Sequence, residues 1–129
     1  MRREDWPARL VDFLARDWQF AWGRSDCALW AAAWVQEATG QDLAQGMRLT
    51  YFSENAALRR LARLGCRDVA DLADRFLPKR GFHFAGRGDI VLHPHAALGV
   101  CSGLRSHFLT PRGMTDLPTS QCTRAWAVE

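Results

Sequence analysis

The sequence predicts an α+β fold in which helices pack on one side of a mostly antiparallel sheet. Two observations carry that expectation. Helical periodicity runs through the chain as far as Leu77, and six glycines from Gly81 to Gly113 then punctuate short β-like runs. A third observation places the centre. The run from Cys27 to Val35 is apolar all round, so its helix belongs inside the molecule and not on its surface.

Arg3 to Arg16 reads as an amphipathic helix. Leu10, Phe13 and Leu14 share a face, with Glu4 and Asp5 in the first turn and Arg16 in the last. Asp17 to Gly23 is an extended lead-in whose aromatic residues Trp18, Phe20 and Trp22 alternate. Ser25 or Asp26 caps the central helix, Cys27 lies in its first turn, and Thr39–Gly40 suits its C-terminal end. Gln41 to Thr50 has no period and is a loop. Ser53 caps a third helix with Ala57, Leu58, Leu61 and Leu64 inside and Arg59, Arg60 and Arg63 outside, stopped by Gly65. A fourth helix starts at Asp68 or a neighbour and runs through Leu77, ended by Pro78, with Val69, Leu72 and Phe76 inside. Strands are expected at Ile90–Leu92, Ala96–Cys101, Ser106–Leu109 and Ala125–Val128.

The 129 residues suffice for one domain with one core, spanning 1–129. The formal charge is +3, and the 17 cations are 16 Arg and one Lys, in no run longer than two. A nucleic-acid binder concentrates its cations on one face or arm, so this scatter argues against nucleic acid as a partner. No apolar run approaches the ~20 residues that span a bilayer. No apolar segment follows Met1, so no signal peptide is expected and synthesis in a host cytoplasm is. The four Cys show no C-x-x-C spacing and read neither as a zinc ribbon nor as a disulfide framework. His93 and His95 form an H-x-H pair without a third ligand near in sequence, so neither a metal nor another cofactor is expected.

Cys27 is the residue with the clearest chemical placement. At a helix start, the first N–H groups and the positive end of the dipole favour thiolate over thiol. The alternative is a small core residue, since free Cys is among the most buried types.

Three stretches resemble the NlpC-type family of papain-like cell-wall peptidases, and more narrowly a small phage and prophage group related to it. They are Phe20-Ala21-Trp22-Gly23 with Asp26-Cys27, then Gly88-Asp89-Ile90-Val91, then Leu98-Gly99-Val100-Cys101-Ser102-Gly103. The resemblance implies a papain-like fold with Cys27 as nucleophile, attacking a peptide carbonyl to form an acyl-enzyme that water then hydrolyses. Ala97 stands where the family has its histidine. His95, two residues earlier, is the candidate general base, and His107 on the next strand the candidate orienting residue. The implied protein is a tail-associated cysteine hydrolase, a peptidase or amidase acting on bacterial peptidoglycan stem peptides. It would reside in the virion with other phage tail proteins as partners. Ala97 also supports a different reading, in which the same fold is catalytically silent and serves as a structural tail-tip or tail-assembly protein.

Overall fold

The computed structural model describes residues 1–129 as an α+β fold of four helices and a six-stranded sheet. The helices are α1 (Trp6–Ala15), α2 (Cys27–Thr39), α3 (Glu54–Arg63) and α4 (Val69–Phe76). The strands are β1 (Lys79–Arg80), β2 (Ile90–Leu92), β3 (Leu98–Cys101), β4 (Arg105–Thr110), β5 (Gly113–Pro118) and β6 (Arg124–Trp126). Their order is β1-β6-β2-β3-β4-β5, and every pairing is antiparallel.

Local chemistry explains most boundaries. α1 starts later than its periodicity suggests because Pro7 occupies the first turn, which leaves Glu4 outside the helix and Asp5 at the cap position. Asp26, Ser53 and Asp68 each accept a hydrogen bond from a first-turn N–H, capping α2, α3 and α4. Gly40 in the left-handed region ends α2, and its N–H donates to Gln36 O. The segment from Asp17 to Gly23 forms no strand; its only ladder contact is a single bridge from Ala21 to Ser25.

α2 lies between α1 and the sheet, as its apolar circumference requires. Trp30, Trp34 and Ala38 are fully buried in a core that includes Leu10 and Phe13 of α1, Ile90, Val100, Leu109 and Trp126. The buried indole N–H groups of Trp34 and Trp126 reach partners at long sequence range. Trp34 Nε1–H donates to Gly88 O at 2.8 Å, and Trp126 Nε1–H donates to Asp74 at 2.9 Å. A smaller cluster covers the far face of the sheet, with Val91, Cys101, Phe108, Cys122 and Ala125 at its centre.

The third and fourth helices depart from their expected stripes. Leu58 and Phe76, read as inward, are 53% and 47% exposed. Leu61 is the one buried residue of α3, and Ala70 and Ala73 are those of α4. Arg60, read as outward, turns in. The reason is that these helices do not close onto a filled core. They wall a cavity that Leu61, Leu72 and Phe76 line, while Leu58 lies outside it on the surface.

Candidate functional site

Asp26 organises the start of α2. Its Oδ1 accepts from Leu29 N at 3.0 Å, while its Oδ2 accepts from Gly23 N at 3.1 Å and from the Tyr51 hydroxyl at 2.6 Å. The carboxylate is 2% exposed. Three donors on one buried carboxylate meet the demand that such a group be well paired. Tyr51, the only tyrosine, is itself buried, and its phenol is pushed well above its usual value by burial and then by the Asp26 carboxylate.

Gly23 cannot be replaced in this arrangement. Its φ is +79°, and a Cβ there would stand 1.9 Å from Tyr51 O. Its carbonyl also accepts from Leu49 N at 2.8 Å. The Trp-Gly…Asp-Cys pattern is therefore a turn that lets the 49–52 segment lie directly over the helix start.

Cys27 occupies the first position of α2. Backbone hydrogen bonds at Leu98, Ala28 and Cys27 itself act to lower its pKa, as a helix start should. Burial outweighs them and pushes the thiol up to about 11, with the Asp26 charge adding to the rise. The residue keeps some accessible surface. Apolar groups nevertheless crowd the sulfur, and crowding rather than residual exposure sets the cost of ionising it. Against the tendency of the helix start towards a thiolate, burial is the larger influence and favours the thiol.

The two candidate imidazoles lie elsewhere. β2 and β3 form a hairpin whose turn is His93-Pro94-His95-Ala96, closed by His93 N–H to Ala97 O and Ala96 N–H to His93 O, both 2.8 Å. His95 is exposed in this turn, before the strand begins, with its ring stacked on His93 at 5.2 Å. Ala97 packs with the cluster on the far face of the sheet, away from α2. His107 lies on β4 directly across from Val100, and its Nε2 is 2.9 Å from Ser102 Oγ. Cys27 meets β3 at Leu98, two residues from Val100, so the cross-strand position of His107 is displaced by about 6.6 Å along the sheet. Burial holds the His107 imidazole below its ordinary value. No histidine lines the cavity that Cys27 faces; His95 sits in the exposed β2–β3 turn and His107 meets Ser102.

Cys27 faces a cavity of about 100 Å³ between α2, α3, α4, the 43–51 segment and strands β2 and β3. Of its 22 lining residues 20 are hydrophobic, and no histidine is among them. The space exists because α2 presents Ala28, Ala31 and Ala32 on one face, at i, i+3 and i+4, where larger residues would fill it. Asp26 and Arg60 are the two charged residues in the wall.

Sequence reasoning missed Tyr51 and Arg60. A lone Tyr beside an apolar loop was a usable signal, since a buried phenol requires a partner. Arg60 carried none, because its helix position alone points it outward.

A family model described as a domain of unknown function, DUF6950, matches residues 1–128. This chain belongs to the DUF6950 family. No curated protein and no solved structure matches it.

Proposed function

We propose that the chain is a hydrolase-like fold used without hydrolysis, a structural component of a phage or prophage tail whose Cys27 region binds instead of cutting. One observation carries the non-hydrolytic part. Cys27 stands where a nucleophile would, yet it faces Leu98 and an apolar wall with no histidine in it, and burial pushes its thiol up to about 11. A cysteine hydrolase needs a thiolate at working pH and a base within hydrogen-bond reach. The tail assignment is supported by the three motifs and their order alone.

A hydrolytic reading is favoured by one feature, the helix start at Cys27, whose backbone groups do lower the thiol pKa in part. In that reading an imidazole would come from a neighbouring subunit of the assembly. The two readings differ in a direct assay. Wild-type protein incubated with purified sacculi is expected to release no peptides, and iodoacetamide at pH 7 is expected to label Cys27 slowly. Peptide release lost in Cys27→Ala would overturn the non-hydrolytic reading. Co-purification with intact virions is the expected result for a tail component, and its absence from particles would end that assignment.

A further inference from the structure

The turn that joins β2 to β3 is held in part by a side chain that can change its charge. His93 Nδ1 accepts from the backbone N–H of His95 at 3.0 Å. A side chain that bonds the N–H two residues on is the device by which Asn and Asp shape turns. Here the acceptor is an imidazole, whose lone pair is lost when it binds a proton. Two backbone bonds close the same turn, from His93 N–H to Ala97 O and from Ala96 N–H to His93 O. The closed turn is strained. Ala96 has φ +62°, in the left-handed region that a residue with a Cβ seldom adopts unless its surroundings hold it there.

His93 is anchored on one side and free on the other. Its ring meets the buried Phe108 ring at right angles, 5.0 Å between centroids, and stacks on the His95 ring at 5.2 Å. Pro94, His95 and Ala96 are all exposed. A rearrangement therefore falls on the exposed tripeptide and not on the packed ring. A protonated imidazole carries N–H on both nitrogens and has no acceptor, so turning the ring over does not restore the bond. The charges around the ring add to the effect. His95 is the charged group that acts on His93, and both it and burial disfavour the imidazolium. From β4 the ring meets the hydrocarbon of Phe108, and on β6 Arg124, paired with Leu92, is held by Asp74 at 3.0 Å.

We propose that the His93-Pro94-His95-Ala96 turn is an acid-operated latch, closed while His93 Nδ1 accepts from His95 N–H and opened when that nitrogen binds a proton. The step forms one N–H bond with a proton from solvent and breaks one hydrogen bond. Opening releases the His95 N–H to water, unstacks the two imidazoles and lets Ala96 leave the left-handed region. His93 stays on Phe108, so β2 and β3 keep their register. The end of the hairpin thus has two conformations, selected by pH. The latch is independent of the Cys27 region and stands whether or not that region cuts.

The test follows the full chain by NMR from about pH 8 to about pH 4.5, across the imidazole range. Three signals are read: the His93 ring protons, hydrogen exchange at the His95 amide relative to its unstructured rate, and the Ala96 carbon shifts, which report φ. In the wild type all three are expected to change with one midpoint, below the ordinary ~6.5 of histidine. Protection at the His95 amide should fall about tenfold, the usual worth of one hydrogen bond. His93→Asn supplies an acceptor that does not titrate, so the His95 and Ala96 signals should then hold one position throughout. His95→Asn removes the repelling charge, so the step at Ala96 should remain and its midpoint rise. His95 and Ala96 signals that stay fixed while His93 titrates would overturn the latch, and that comparison needs no variant. A step that survives in His93→Asn would assign it to another group and overturn the role of His93. Loss of the step in His95→Asn would make His95 the group that titrates, with the same consequence.

Discussion

Asp26 is the residue on which the candidate site depends, because one buried carboxylate satisfies two backbone N–H groups and a phenol. Tyr51→Phe removes one charge-assisted hydrogen bond while keeping the ring, and should cost about 1.5–3 kcal/mol in urea unfolding. Asp26→Ala should cost more, since it removes the α2 cap and leaves Gly23 N–H and the Tyr51 hydroxyl buried without acceptors. Equal losses for the two variants would show that Tyr51 contributes all of the network. Cys27 behaves differently. With its thiol at about 11, alkylation by iodoacetamide should keep accelerating well past pH 9 and level off only near 11. A plateau by pH 7 would place the thiolate back in the conventional reactive range.

Among the elements, β3 and the two chain termini are the most constrained. Gly99 sits where β3 passes β4 so closely that a Cβ would stand 2.3 Å from both His107 O and the Phe108 ring. Gly99→Ala must push β3 and β4 apart, and should cost more than about 3 kcal/mol or prevent soluble expression. This explains the hydrophobic-Gly-hydrophobic strand as a packing requirement independent of any catalytic role. The Gly-Asp pair before β2 has a comparable structural reason. Asp89, 2% exposed, accepts from Gly86 N at 3.0 Å, from Val128 N at 3.3 Å and from Arg2 Nη2 at 2.9 Å, with Arg80 Nε 3.3 Å away. Arg2 also donates to Val128 O at 2.6 Å and Arg87 O at 2.8 Å, tying the N-terminal arm to the C-terminal strand region. Asp89→Ala should therefore destabilise by about 3–5 kcal/mol, and Arg80→Ala, whose side chain is 40% exposed, by no more than about 1 kcal/mol. Chemical denaturation of the two variants side by side checks the difference.

For the whole molecule, titration sets a window of stability. Burial lowers the pKa of His93 and His107 below the ordinary 6.5, so on acidification the unfolded chain takes up protons first and stability falls below that pH. The Cys27 shift has the opposite sense. A thiol raised from 9.0 to about 11 ionises first in the unfolded chain, so stability present below pH 9 is lost as pH rises towards 11. Melting temperature should form a plateau between about pH 6.5 and 9 and decline on both sides. Cys27→Ala should reduce the alkaline decline, leaving the share of Cys122 and Tyr51, which burial also raises, and should leave the acidic one unchanged. An alkaline limb unchanged in that variant would assign the loss to other groups. No helix is long and apolar enough to cross a membrane.

The order of helices before strands, the α2 boundaries and the three side-chain caps were legible in the sequence. Each rests on contacts within a few residues: a cap and its first-turn N–H, a glycine at a helix end, a period of apolar positions. The strands were legible where both faces are buried, as at Ile90–Leu92. β5 was not, because its residues are largely exposed and carry no alternating apolar signal. Cys27 could be placed at a helix start from local residues alone, and so could the tendency of that position to favour a thiolate. What decided its chemistry was long-range packing. Leu98 lies 71 positions downstream, the hairpin turn carries His95 away from it, and the register of β4 sets His107 opposite Val100. The cavity likewise depends on alanines of α2 meeting residues of α3, α4 and the sheet, a coincidence that no single segment encodes. Local hydrogen bonding determines where a helix begins; only the three-dimensional surroundings determine how much water the sulfur at its start retains.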